Sequence, residues 1–312
     1  MDFLAEYGLF LLKSLTVVIA LLLALAGILA ISRKKPKPQL EITSLNKQYE
    51  KTRQHLAHEI RNEKPAKKKK EKSNKPTLYV VDFHGDIKAS QVEQLREVIS
   101  AVISVAQEKD EVVVCLESHG GLVNTYGLAA SQLQRLRDKQ IPLTVCIDKI
   151  AASGGYLMAC VANKIVAAPF AIIGSIGVVA QLPNFHRWLK KNNIDFELLT
   201  AGEHKRTLTI FGENTAKGRE KFQEDLEKIH KAFRSYVLEN RQQLDIDKVA
   251  TGEHWLAKDA YDLRLVDALK TSDDYLAEKM ADFNSFKIAM HGKKSLLEKL
   301  FKPVSNLMSP WS

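Results

Sequence analysis

A serine flanked by small residues sits where a strand-like run gives way to an apolar helical segment, in Ala151-Ala152-Ser153-Gly154-Gly155-Tyr156. Residues 141–148 before it are β-prone, and Leu157-Met158-Ala159-Cys160 continues as an apolar helix. At a helix start the free amides and the macrodipole favour negative charge, so a hydroxyl presented there is suited to nucleophilic attack. A plain N-cap serine has the same local signature, and the neighbouring loops must decide between the two. Glu117-Ser118-His119-Gly120-Gly121-Leu122 supplies paired glycines, which let amides turn toward a substrate as an oxyanion hole requires. Ile173-Gly174-Ser175-Ile176-Gly177-Val178 is a third glycine loop, polar enough at Ser175 to line a groove. A nucleophilic serine needs a base, and His84, His119, His204 and Lys205 are the candidates. Asp148 reads as a cap for the turn that follows it.

These loops need a scaffold that brings them together. Strand-like runs occupy residues 78–83, 112–116, 143–147, 164–167 and 196–199, and helical patterns occupy 90–106, 126–139, 153–161 and 184–192. Short apolar strands alternating with helices indicate an α/β domain with a largely parallel sheet covered on both faces. Each glycine loop then falls at the carboxyl edge of a strand, where sites in open α/β sheets form. A long amphipathic helix is expected over 216–242, with shorter ones at 257–262, 275–281 and 295–300.

The chain has 312 residues and a net charge of +9, but the charge is local. Between Arg33 and Lys75 there are 15 Lys/Arg against 5 Glu, a balance of +10 that leaves the remainder near neutral. The basic pI therefore gives no argument that the folded part binds nucleic acid, and none is expected as a partner. Cys115, Cys146 and Cys160 all lie in apolar runs and read as buried free thiols, and no CxxC or HExxH spacing suggests a metal. No cofactor is expected. Residues 7–31 are long and apolar enough for a bilayer-crossing anchor. The basic residues that follow favour a cytoplasmic catalytic domain. Residues 32–76 read as a basic linker, 77–270 as the catalytic domain and 271–312 as a helical extension whose tail, 293–302, is basic and amphipathic.

The hexapeptide at 151–156, Gly174-Ser175-Ile176-Gly177-Val178 and Ala201-Gly202-Glu203-His204-Lys205-Arg206, in that order and behind an apolar N-terminus, resemble the bacterial signal peptide peptidase family. The likeness runs from about Thr77 to Val266. It implies a ClpP/crotonase-like fold and a serine endopeptidase with a Ser–Lys dyad, held in the bacterial inner membrane by a single-pass anchor. Carried over by position, Ser153 matches the nucleophile, Lys205 the general base, and Gly121 and Gly154 the oxyanion amides. Gly120, Gly174, Ser175, Ile176 and Gly177 would line the substrate groove. An amine acts as base only where burial or positive neighbours favour its neutral form. The resemblance implies peptide or unfolded polypeptide substrates, the lipid bilayer as a partner, and a homo-oligomer with sites near subunit interfaces. Lys205 follows Ser153 by 52 positions, so pairing within one chain or between two is open. It also places family members on the outer membrane face, against the charge bias. His119 stands where the family has proline, and Arg264 where it often has glycine. A crotonase-type acyl-CoA enzyme and a non-catalytic scaffold of the same fold are the competing readings.

Overall fold

The computed structural model describes the backbone of residues 2–32, 39–62 and 75–291. It divides into two compact units, the first holding helix α1 (Asp2–Ser32) and the second spanning Leu40–Met290. Side chains of α1 are described over residues 6–22, where they are exposed. Among the described residues, no helix is long and apolar enough to cross a membrane. The lysine run at 67–70 and the tail at 293–302 lie outside the described residues.

The second unit is a mixed α/β fold. Strand β1 (Gln39–Ser44) leads into α2 (Leu45–Arg61), whose first turn is capped by the Ser44 hydroxyl accepting the Lys47 N–H. Then β2 (Thr77–Gly85), α3 (Val92–Val105), β3 (Glu111–Ser118), α4 (Val123–Asp138) and β4 (Leu143–Ile147) alternate. They are followed by β5 (Ile150–Ala152), α5 (Gly154–Ala159), β6 (Lys164–Ala167), β7 (Ile172–Gly174) and α6 (His186–Lys191). Helices α7 (Ala216–Asn240) and α8 (Ile246–Val249) precede β8 (His254–Leu256), α9 (Ala257–Asp262), β9 (Ala268–Leu269), α10 (Ser272–Lys279) and β10 (Asn284–His291).

The main sheet runs β1-β10-β2-β3-β4-β6-β9. From β10 to β9 its neighbours pair in parallel, and the side pair β7–β8 is antiparallel. Val81, Val114 and Val145 lie side by side in register and are buried on one face. That face is covered by α3 through Leu95, Val98, Ile99 and Val102 and by α4 through Tyr126, Ala129, Leu133 and Leu136, both at helical spacing. The opposite face packs Leu78, Val80, Val113 and Cys146 against Tyr275 of α10.

Beyond its middle the sheet forks. Strand β3 pairs with β4 over Val112–Cys115, but its last residue, Ser118, pairs with Ala151 of β5. Strand β5 in turn pairs with β7, Ala152 opposite Gly174. The carboxyl ends of β3, β5 and β7 are therefore adjacent, and each is followed by one of the three glycine loops.

One expectation needs correction. No strand forms at 196–199; these residues are exposed, and Phe196 packs on Phe211 with ring centroids 5.7 Å apart. The folded unit extends past residue 270, because α10 covers the sheet and β10 lies between β1 and β2. It also starts before residue 77. Asn46 of α2 donates to Met280 O and Phe283 O and accepts the Ser285 N–H, which draws part of the expected linker into the unit.

Candidate active site

Ser153 is the residue between β5 and α5, and its backbone carries φ 52°, a conformation uncommon outside glycine. Its N–H donates to Gly174 O at 2.8 Å, and its carbonyl accepts the Leu157 N–H at 3.0 Å. Its side chain makes no cap bond to the helix amides, so the ordinary N-cap explanation of this serine does not hold. The side chain is half-buried and lines a cavity of about 1110 Å³.

Gly120, Gly121, Gly154, Ser175 and Gly177 line the same cavity. Gly120 has φ 86°, and a Cβ on it would lie 2.7 Å from Gly154 N and 2.8 Å from Ser153 Cβ. Only glycine lets this loop approach the serine so closely. A Cβ on Gly154 would stand 2.4 Å from Cγ of Tyr126, a fully buried ring behind the start of α5. Gly174 does not line the cavity; its carbonyl holds the Ser153 N–H. Ile176 is buried, and its carbonyl lies 3.3 Å from Nε2 of His230 on α7. Ser175, with φ 52°, donates its N–H to Glu253 O at 2.6 Å, so the third loop hangs from the turn before β8. The far wall is apolar, built from Val123 of α4, Leu157 of α5, and Ile229, Phe233 and Tyr236 of α7.

Lys205 is not brought to this cavity within the chain. It is exposed, in a turn closed by its N–H donating to Gly202 O at 3.2 Å. Neighbouring Glu203 pairs with Lys217 at 2.7 Å, which holds its carboxyl below the usual range. His204 is exposed beside Glu203. His84 is exposed beside Glu117, away from the cavity, whereas His119 lines it. Asp148 accepts the N–H and hydroxyl of Ser272, so it ties β4 to the start of α10 instead of capping its own turn. Arg264 has φ 62°, which explains why glycine suits that place. Trp255 packs against Gly174. All three cysteines are free; burial pushes the Cys115 thiol up to about 12 and raises those of Cys146 and Cys160 as well. Among the described residues no group of acidic, histidine or cysteine side chains could hold a metal.

Sequence reasoning did not single out Tyr126, Ser118 or His230. Ser118 could have been noticed, because a short hydroxyl side chain next to a glycine pair commonly bonds backbone amides. Tyr126 gives no such signal, since its role depends on residues far away along the chain.

Two family patterns cover nearly the whole chain: peptidase family S49 N-terminal over residues 2–133 and peptidase family S49 over residues 135–285. The probable protease SohB of Haemophilus influenzae is 49% identical over 325 aligned positions, covering 96% of this chain and 92% of its own length. The protein of the same description from Buchnera aphidicola subsp. Schlechtendalia chinensis is 48% identical, covering 89% of this chain and 100% of its own. Among solved structures, a membrane-bound stomatin-specific protease in complex with a substrate peptide is 14% identical, with a TM-score of 0.45, covering 75% of this chain and all of that one.

Proposed function

Since the chain belongs to peptidase family S49 and is a protease, we propose that it is a membrane-anchored serine endopeptidase in which Ser153 attacks the peptide carbonyl and Lys205 is the base. The observation that carries this reading is the uncapped Ser153, held at φ 52° at a helix start between two glycine loops and opening on the cavity. Lys205 takes the Ser153 proton as the hydroxyl adds to the carbonyl. The amides of Gly121 and Gly154 receive the developing oxyanion. Lys205 then returns the proton to the leaving amine, and water hydrolyses the acyl-enzyme by the reverse sequence.

Because Lys205 lies outside the single-chain cavity, the dyad closes either by movement of its segment or with a second copy of the chain. The second route is the one we favour. The stretch leading to Lys205 exposes Trp188 (60%) and Leu199 (91%), apolar surface suited to burial between copies in a ClpP-like ring. The apolar far wall suits hydrophobic side chains, in keeping with signal-peptide-like or unfolded polypeptides. The apolar sequence of residues 7–31 is the proposed single-pass anchor in the bacterial inner membrane.

A fluorophosphonate probe tests the dyad. Labelling of the full-length protein in detergent should be abolished by Ser153→Ala and strongly reduced by Lys205→Ala. Labelling unchanged in Lys205→Ala would remove Lys205 from the mechanism. Mixing the two inactive variants as co-expressed subunits should restore part of the activity if the dyad forms between copies; no recovery would place it within one chain.

A further inference from the structure

We propose that Tyr126 and Ser118 are positioning residues, holding the glycine loop against Ser153 through one continuous line of hydrogen bonds. The inference rests on the reading of Ser153 as nucleophile and adds to it the device that fixes the oxyanion amides.

The line has three bonds. The Gly120 N–H donates to Ser118 Oγ at 3.0 Å, Ser118 Oγ lies 2.6 Å from the Tyr126 hydroxyl, and that hydroxyl donates to Asp86 O at 2.8 Å. Counting protons fixes their direction. A backbone carbonyl can only accept, so the single Tyr126 proton points at Asp86. The Ser118 hydroxyl must then donate to Tyr126, which leaves its lone pairs for the Gly120 amide. The bonds therefore run head to tail, each polarising the next in a buried setting. Burial also raises the Tyr126 phenol, which keeps it protonated and donating through neutral and mildly alkaline pH.

Two further contacts give the line its purpose. The Leu122 N–H donates to Ile87 O at 2.9 Å, so the glycine loop is fastened to the 86–87 turn at both its ends. The Tyr126 ring itself backs Gly154, where a Cβ would come within 2.4 Å of it. One side chain thus braces both proposed oxyanion donors, Gly154 by its ring and the Gly120–Gly121 loop by its hydroxyl. The turn at the other end is firm, because the Asp86 carboxylate accepts both the N–H and the hydroxyl of Ser90.

The experiment compares Tyr126→Phe, Ser118→Ala and the double variant in the full-length protein, with Tyr275→Phe as control. Tyr275 is also buried, and its hydroxyl bonds Glu111 and Thr144 on the opposite face of the sheet. Misplaced oxyanion donors act on the transition state alone, so kcat on a hydrophobic fluorogenic peptide should fall about tenfold with KM unchanged. The double variant should be no worse than the poorer single one, since both cut the same line. Amide hydrogen exchange over residues 118–122 should quicken in each. Tyr275→Phe should lower the melting temperature but not kcat. The proposal is overturned if Tyr126→Phe keeps kcat within about twofold, if Tyr275→Phe loses as much, or if exchange over 118–122 is unchanged. Should Tyr126→Phe not fold, Ser118→Ala interrogates the line from its other end with the ring in place. Exchange is independent of turnover, so a wild-type protein that fails to label at Ser153 sinks the nucleophile reading while the latch is still judged on its own.

Discussion

Ser153 holds a backbone conformation that costs a non-glycine residue on the order of 1 kcal/mol or more. That strain separates two inactive variants. Ser153→Ala removes the hydroxyl and keeps the strain, whereas Ser153→Gly removes both. The glycine variant should therefore unfold at higher denaturant than the alanine variant, by about 1 kcal/mol; equal midpoints in a urea titration would mean that φ at this position is relaxed in solution. The cysteines make a contrasting prediction. With its thiol pushed up to about 12, Cys115 stays protonated at neutral pH, and Cys146 and Cys160 are more deeply buried. Iodoacetamide at pH 7.5 should leave peptide cleavage intact, and inactivation by it would implicate a thiol in catalysis. The three glycine loops were legible as strings because small residues and their spacing are themselves the signal. Tyr126 was not, because its hydroxyl partners stand 8 and 40 positions away and meet only in the folded chain.

Strands β2, β3 and β4 were plain in the sequence because both of their faces are buried, and such strands read as continuous apolar runs. Strand β10 was hidden by the opposite circumstance. Phe286, Ile288 and Met290 face the large core while Ser285 and Lys287 alternate with them, and so short an alternation among lysines resembles a polar extension. The expected strand at 196–199 failed because its residues find no strand to pair with among those described. Asp267 joins two elements with its carboxylate. Its carboxylate takes two bonds of 2.8 Å from Arg241 at the end of α7, and a third of 2.7 Å from the Ile165 N–H of β6. Arg241 is only 3% exposed. Asp267→Asn would leave that guanidinium buried without its counter-charge, and should destabilise the protein by about 3–5 kcal/mol. Chemical denaturation measures this; a loss below about 1 kcal/mol would mean that water reaches Arg241 in the variant.

Between β7 and α7 several large apolar residues of the second unit are exposed, among them Trp188 and Leu199. Leu199, 91% exposed, is the most extreme of them. If this surface is where copies meet, Leu199→Glu should shift sedimentation toward smaller species and reduce cleavage in the same preparation. Smaller species with full activity would show that assembly is not needed for turnover. Resemblance to a family suggests an assembly, but no residue pattern points to a surface for it, because an apolar stretch reads alike in sequence whether it ends in a core or on a surface.

The third glycine loop has a consequence for how small this enzyme can be made. Its hydroxyl-bearing turn is suspended from Glu253, Gly174 runs beside His254, and Trp255 presses on it. Farther along, β10 fills an interior place in the sheet, and its removal would bare the edge of β2. The three glycine loops of the groove end before position 180, yet the groove takes a wall from α7 and is kept in shape by residues after 250. A trimmed version that stops soon after Lys205 would retain every group the chemistry names and still lack a formed cleft; the shortest working piece of the second unit must reach Met290.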